Sequence, residues 1–267
     1  MCSLSTAVDA WSTLEDWAAI VATQIKHKQP LPILSAYGAG LSLSDAYAVQ
    51  KMVVAELIAA TEIAGYRASL TRPRGQVAFG LREPVTGVLA RPELLHTHAR
   101  LRLRDFKRLT IAPGLGFVLK SAIRAPLSDL SEVAAKIAEV IPVVEFSDLN
   151  FEQPAGFGAA DFIVANNGFS KIIVGKPLPN ADGATINAIF FELLLADAVV
   201  DRGRATNVMG SQHTALYWLI NRLLAQGWRL EAGALLVTGG FSDPVPAARG
   251  TYTARFWDVG DLTFTIE

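Results

Sequence analysis

From Gly65 to its end, the sequence consists of short apolar runs separated by turn-forming residues. Runs of this length, rich in β-branched and aromatic residues, predict β-strands. The predicted strands cover residues 66–70, 109–111, 117–119, 140–146, 171–174, 189–199, 234–237, 252–257 and 262–266. Helical patterns at about 129–139, 158–166 and 212–226 interrupt them without regular alternation. This arrangement predicts an α+β fold and argues against a doubly wound sheet.

The first 64 residues have a different periodicity. Apolar residues recur at helical spacing within 5–27, and again from Ser44 to about Thr61. Ser44 is a good N-cap, so the second pattern predicts a helix that begins there. We therefore predict an N-terminal helical part over 1–64 and a β-rich domain of catalytic type over 65–267.

Charge excludes some classes of partner. The chain carries 24 Lys+Arg and 25 Asp+Glu, which gives a formal net charge of −1. Such a balance gives no long-range attraction to nucleic acid or to an anionic membrane. A local basic run from Arg100 to Arg108 is expected to be the solvent-facing side of a strand. We expect neither nucleic acid nor a membrane as a partner.

The composition also bears on assembly and compartment. Only 18% of the 267 residues are charged, below the quarter that is usual for globular domains, which predicts a buried subunit interface and a homo-oligomer. The one cysteine, Cys2, excludes an intrachain disulfide framework. The N-terminus does not have the pattern of a signal peptide, and no apolar run has membrane-spanning length. We expect a cytoplasmic protein.

Seven short segments, in this order, carry a resemblance to a known family. They are 43–50, like "AYxVQ"; 65–71, like "GxKxGLT"; 79–87, like "LGVxxPxxG"; the strand 142–145, which ends in Glu145; 161–175, like "DxxADNAS…G"; 208–219, like "LGxPxxAxxWL"; and 237–239, like "LTG". Together they span nearly the whole chain. They resemble the 2-oxo-4-pentenoate hydratase / 4-oxalocrotonate decarboxylase family, which belongs to the fumarylacetoacetate hydrolase superfamily.

This resemblance implies a fold and a chemistry. The fold would be a mixed β-roll or barrel like the C-terminal domain of fumarylacetoacetate hydrolase, with flanking helices and an N-terminal helical part. The family acts on short 2-oxo or 2-hydroxydienoate acids. It uses Mg²⁺ or Mn²⁺, held by three glutamates, to stabilise an enolate, and a lysine beside the ion assists proton transfer.

The sequence departs from this pattern at the implied site. Two of the three metal-ligand positions hold Ala112 and Gly114, and only Glu145 is retained. The lysine position holds Arg67, and the serine of "DNAS" falls at Gly168. One carboxylate is a poor site for Mg²⁺, so we expect no bound metal and no other cofactor. Arginine stays protonated but can bind a carboxylate through two hydrogen bonds.

The candidate site residues follow from the same comparison. Glu145 and Arg67 are the expected catalytic residues, with Glu145 moving a proton and Arg67 holding an acid group. The expected substrate-binding residues are Thr238, Asn166, Asp161, Thr71 and Leu81.

The leading functional hypothesis is a lyase-like enzyme acting on a small molecule. The substrate would be a 2-oxo acid, a β-keto acid or a related enolisable compound, converted by metal-independent proton transfer with a lyase, tautomerase or cyclase outcome. Two alternatives stay open at this point. The chain could be a non-catalytic partner subunit of a hydratase/decarboxylase assembly, or an ordinary Mg²⁺-dependent 2-hydroxydienoate hydratase.

Overall fold

The computed structural model describes residues 13–36, 40–58, 62–153, 155–178 and 182–267. Residues 5–12 of the first expected helix, the end of the second at Thr61, and Cys2 lie outside this part of the chain. The α-helices of the described residues are α1 (Leu14–Lys26), α2 (Leu43–Leu57), α3 (Pro73–Ala78), α4 (Val133–Lys136), α5 (Ala159–Val164), α6 (Gly183–Ala188) and α7 (Gln212–Ala225).

The strands form two sheets. Their bounds are β1 (Ile63–Ser69), β2 (Val85–Ala90), β3 (Leu94–His96), β4 (Ala99–Leu101), β5 (Leu109–Leu119), β6 (Ile137–Asp148), β7 (Phe169–Val174), β8 (Phe190–Leu195), β9 (Ala198–Arg204), β10 (Leu235–Gly240), β11 (Val245–Pro246), β12 (Gly250–Phe256) and β13 (Gly260–Ile266). The large sheet has the order β2-β1-β10-β5-β6-β7-β3, with β11 on β5, and the smaller has the order β4-β13-β12-β8-β9.

Both sheets are mixed. The pairs β1–β10, β3–β7 and β4–β13 are parallel, and the other pairs are antiparallel. This pairing, with helices outside the sheets, confirms the α+β prediction and the roll-like architecture that the resemblance implied.

The main core lies between the two sheets and under α7. Phe146 of β6 meets Phe264 of β13 edge-on, with ring centroids 5.2 Å apart, and Tyr252 stacks on the other side of Phe264. Helix α7 adds Leu216, Leu219 and Leu223, which are fully buried. Burial of apolar surface on this scale is the main force that holds the sheets together.

The N-terminal helices share a second core with the β-rich part. Helix α1 begins at a capping box formed by Thr13 and Asp16, and α2 is capped by Ser42, two residues before the expected Ser44. Buried Ala46, Val49 and Val53 of α2 belong to the same apolar cluster as helix α5. The division at residue 64 stays a prediction, and the two parts are packed together.

Several element boundaries differ from the predicted ones. Residues 109–111 and 117–119 belong to one strand, β5, which continues through Pro113. Proline is accommodated because Pro113 lies between the part of β5 that pairs with β10, up to Gly114, and the part that pairs with β11, from Ile111. The expected helix at 129–139 ends at Lys136, since Ile137 already pairs with β5. The expected strand 189–199 is the hairpin of β8 and β9.

No helix in the described parts of the chain is long and apolar enough to cross a membrane. The homo-oligomer and the cytoplasmic location stay predictions.

Candidate active site

A cavity of about 250 Å³ opens beside the large sheet, where β1, β5, β6 and β10 meet. Strand β1 contributes Arg67 and Ser69 at alternating positions, and Thr71 lines the cavity just beyond the end of the strand. Strand β6 contributes Glu145 and Ser147, again two residues apart. Side chains at such spacing share one face of a strand, so both strands present polar groups to the cavity.

A buried ion pair forms the floor of this cavity. The Nε atom of Arg67 lies 2.7 Å from Oε2 of Glu145, and the two side chains are 7% and 1% exposed. The contact is an ion pair without hydrogen-bond geometry, because neither Glu145 oxygen has a hydrogen-bond partner in the described structure. The Nη1 atom of Arg67 also donates to Ser147 Oγ over 3.3 Å.

The ion pair requires the sheet to curl. Strands β10 and β5 lie between β1 and β6 in the sheet. At roughly 4.8 Å between neighbouring strands, a flat sheet would separate the backbones of β1 and β6 by about 14 Å. Ala112 lies directly opposite Glu145 in the register and also lines the cavity, as do Gly239 and Gly240. These small residues leave the space across which the Arg67 side chain reaches Glu145.

Burial controls the protonation of Glu145. Desolvation raises the pKa of this carboxyl above its ordinary value, and the guanidinium of Arg67 acts in the opposite direction. A carboxylate with a raised pKa is a stronger base than an exposed one. Such a shift, deep in a cavity, is typical of groups that transfer protons.

The cavity wall and its mouth have different chemistry from the floor. Leu70, Phe79, Leu149 and Phe162 give an apolar wall. Arg72 and Asp243 line the cavity and form an ion pair, and the exposed Arg74 also pairs with Asp243. The cavity is therefore suited to a small molecule with an acidic head group and an apolar body.

The structure brings together three of the expected site residues: Arg67, Glu145 and Thr71 all line the cavity. Ser69, Ser147 and Asn167 line it too and were not singled out from the sequence. The two serines could have been predicted, because each lies two residues after Arg67 or Glu145 and so on the same face of its strand.

The other expected site residues are not among the lining residues. Thr238 donates to Gln212 Oε1 at 2.6 Å and so ties β10 to helix α7. Both amide atoms of Asn166 bond to the backbone of Val88, at 2.8 and 2.9 Å.

Asp161 and Leu81 are likewise placed elsewhere. The Asp161 carboxylate accepts hydrogen bonds from the backbone N–H groups of Ser35 and Gly158 and from the Ser35 hydroxyl. Leu81 packs against the core shared by α1, α2 and α5.

Comparison with known proteins identifies the relationship. No family model matches the chain. Over 245 residues it is 26% identical to 2-oxo-hept-4-ene-1,7-dioate hydratase from Escherichia coli, a match that covers 89% of this chain and 92% of the relative. It is 24% identical over 218 residues to 4-oxalocrotonate decarboxylase from Pseudomonas sp. (strain CF600), covering 81% and 82% of the two chains. The chain is a divergent relative of these hydratases and decarboxylases.

One solved structure has the same fold over nearly the whole chain. It is 4-oxalocrotonate decarboxylase from Pseudomonas putida G7, complexed with magnesium and adipate, and it superposes with a TM-score of 0.87 at 22% identity. The superposition covers 95% of this chain and 97% of that one. A putative fumarylacetoacetate hydrolase family protein from Yersinia pestis CO92 also superposes, with a TM-score of 0.60 at 14% identity over 78% of this chain and 94% of that one. These superpositions confirm the fold expected from the sequence segments.

The same comparison contradicts the expectation that no cofactor is involved. The decarboxylase structures are complexed with magnesium in one case and with calcium in another. The expectation of no cofactor is therefore wrong as an inference from two substituted positions, because structures with the same fold are complexed with metal ions.

The side chains described here nonetheless fit such an ion poorly. The described residues include no group of three His, Cys, Asp or Glu side chains arranged to hold a metal. The carboxylate of Glu145 already faces Arg67. A Cβ atom at Gly114 would lie 2.5 Å from the carbonyl oxygen of Gly239, so this backbone has no room for a side chain there. We assign no chemical step to a metal ion.

A second cavity of about 360 Å³ lies beside the end of α1 and is lined by Glu93, Asp148 and Lys171 among others. Burial raises the pKa of Glu93 to about 7, while a hydrogen bond from the Ala90 N–H and the charge of Lys171 act in the opposite direction. The folded protein thus holds this proton more tightly than the unfolded chain does. The stabilising contribution of Glu93 is therefore present at low pH and is lost as pH rises from about 5 to 8.

Replacement of Glu93 should remove this pH dependence. We compare the free energy of unfolding of Glu93→Gln with that of wild type at two pH values. The difference, variant minus wild type, should be about 1–3 kcal/mol more favourable to the variant at pH 8 than at pH 5, because glutamine has no proton to lose. Urea denaturation at both pH values measures the difference. The control is Glu152→Gln, which alters an exposed side chain and should follow the wild-type profile. Parallel wild-type and Glu93→Gln profiles would contradict the prediction.

Proposed function

We propose that this chain is a lyase-type enzyme that acts on a small 2-oxo acid, or on a β-keto or related enolisable acid. The observation that carries the proposal is the buried Arg67–Glu145 pair on the floor of a cavity. The homologous hydratases and decarboxylases support an enzyme of this general class.

In this proposal Arg67 holds the acid end of the substrate. Its guanidinium is nearly inaccessible to solvent, so its charge is weakly screened and favours an anion in the cavity. A planar guanidinium can offer two parallel N–H groups to one carboxylate. Binding there would place the carbon next to the 2-oxo group within the cavity, close to Glu145.

Glu145 then transfers the proton. Its carboxylate takes a proton from C3 of the 2-oxo acid: the C3–H bond breaks, and its electron pair forms the C2–C3 double bond of an enolate. Negative charge collects on the C2 oxygen, which the nearby positive charge of Arg67 stabilises. The proton on Glu145 can return to carbon, and hydration or decarboxylation would begin from the same intermediate.

Exchange of hydrogen for deuterium tests the proposal without knowledge of the natural substrate. We expect the protein to catalyse loss of the C3 proton signal of 2-oxopentanoate in D₂O, followed by NMR, at a rate proportional to protein concentration. The assay is run with and without added magnesium ions, because the homologous decarboxylase is complexed with magnesium. A rate equal to that of buffer under both conditions would refute the catalytic role and favour the non-catalytic partner subunit.

A further inference from the structure

Asn167 presents an unused hydrogen-bond acceptor at the active-site cavity. The residue is completely buried and lines the same cavity as Arg67 and Glu145. Its Nδ2 donates to Ser69 Oγ over 3.3 Å, but its Oδ1 has no hydrogen-bond partner among the described residues. A buried acceptor without a partner is unfavourable, so this atom beside the cavity points to a hydrogen-bond donor that the described residues do not supply.

The backbone holds Asn167 there at a conformational cost. Asn166, Asn167 and Gly168 have φ angles of 50°, 60° and 63°. Three successive left-handed residues are unfavourable, although asparagine tolerates this region better than most residues. The amide bonds of Asn166 to the Val88 backbone stabilise the turn. They do not account for the amide of Asn167, which is anchored through one weak bond to Ser69.

Ser69 and Asn167 both depart from the family motifs that this sequence resembles. Ser69 stands at the second glycine of "GxKxGLT", and Asn167 stands at the alanine of "DNAS". In the structure these two polar side chains are in contact.

We propose that Asn167 determines specificity by accepting a hydrogen bond from the bound molecule, while Ser69 positions its amide. This deepens the proposed function and rests on it. The acceptor would favour an acid with a hydroxyl or enol O–H on C2 over the corresponding 2-oxo acid, because a carbonyl offers no donor. Arg67 would then bind the carboxylate of the ligand, and Asn167 would bind its C2 substituent.

Binding of small acids to the full-length wild-type protein tests this directly. Isothermal titration compares both enantiomers of 2-hydroxypentanoate with 2-oxopentanoate and with 2-fluoropentanoate, which is similar in size and has no donor. One 2-hydroxy enantiomer should bind about five- to tenfold more tightly than the other two acids, the effect of one hydrogen bond. Equal affinities, or a preference for the 2-oxo acid, would overturn the proposal.

Variants assign the preference to the residue. Asn167→Gly removes the acceptor and tolerates the positive φ, so the preference should disappear while 2-oxopentanoate still binds. Ser69→Ala should weaken the preference only in part. The control Asp258→Gly removes an acceptor at another residue with positive φ, which is exposed and does not line the cavity, and should keep the preference. A preference that survives in folded Asn167→Gly would refute the role of Asn167.

The two levels of the proposal fail in different ways. If 2-oxopentanoate binds and exchanges its C3 protons but no acid is preferred, the role of Asn167 fails and the proposed function stands. If none of the acids binds, both are contradicted. Should Asn167→Gly not fold, as judged by circular dichroism, Ser69→Ala decides the question: a weakened preference supports the role of Asn167, and an unchanged preference contradicts it.

Discussion

Arg67→Met is expected to lower the free energy of unfolding by about 3–5 kcal/mol at pH 8, because it leaves a buried carboxylate without its partner. Glu145 is only 1% exposed and has no hydrogen bond from the described residues. Methionine keeps most of the apolar volume of the arginine side chain, so the substitution mainly removes the positive charge of the guanidinium. Urea denaturation monitored by circular dichroism gives the value.

Two further measurements identify the cause of this loss. The double variant Arg67→Met/Glu145→Gln should recover most of the stability, since no uncompensated charge remains. The loss should also shrink at pH 5. The raised pKa of Glu145 means that the folded state binds its proton more tightly than the unfolded state does, and removal of Arg67 strengthens that effect. Stability of the single variant is therefore lost as pH rises.

A matched exposed pair provides the control. Arg124 and Glu231 form a two-point ion pair, with side chains 60% and 55% exposed. Arg124→Met should change stability very little, because solvent screens this pair. If Arg67→Met loses the same amount at pH 5, at pH 8 and in the double variant, the contribution of Arg67 comes from packing of its methylene groups and not from its charge.

The sequence was sufficient to predict that Arg67 and Glu145 belong to one site. Each lies in a strand whose short apolar run is recognisable, and each is aligned with a family motif, so both could be placed in a common site before the structure. Their direct contact could not be predicted. It depends on the curl of the large sheet and on the small residues Ala112 and Gly239, which lie far apart in sequence.

Asn166 and Asn167 show why a motif does not fix a side chain's role. Sequence comparison selected Asn166, the asparagine retained from "DNAS". In the structure its amide bonds to the backbone of Val88, and the next residue reaches the cavity. Three successive residues with positive φ angles turn the chain here. The spacing of apolar residues in the sequence does not predict such a turn.

Thr238 illustrates the same difficulty on a strand. It was selected because it lies in the "LTG" segment, yet its hydroxyl bonds to Gln212 of helix α7. The cavity is instead lined by Gly239 and Gly240, at the irregular register between β10 and β5. A register shift of one residue reverses which side chains of a strand face a cavity. Such a shift depends on pairing between strands that lie far apart in the sequence, here β10 and β5.

Glu145→Gln is expected to lower the rate of C3 hydrogen exchange in 2-oxopentanoate by about 10²–10⁴-fold, the usual contribution of a positioned general base. Glutamine has nearly the same shape but cannot accept the proton. The affinity for 2-oxopentanoate should change much less than the rate, because Arg67 is retained. Exchange followed by NMR and binding followed by titration separate the two effects.

The pH profile of exchange provides a second, independent readout. Burial raises the pKa of Glu145 above its ordinary value of 4.5, and the base form exists only above the shifted pKa. The wild-type exchange rate should therefore rise with pH in a range above 4.5, and this rise should be absent in Glu145→Gln.

The matched control for this variant lies on the same strand. Glu139→Gln makes the same chemical change at an exposed position of β6 and should retain the wild-type rate and its pH profile. A Glu145→Gln protein that is folded, binds 2-oxopentanoate and exchanges it at the wild-type rate would exclude Glu145 as the base. The Arg67–Glu145 pair would then hold the cavity floor together without taking part in proton transfer, and the base would have to be sought among the other residues that line the cavity.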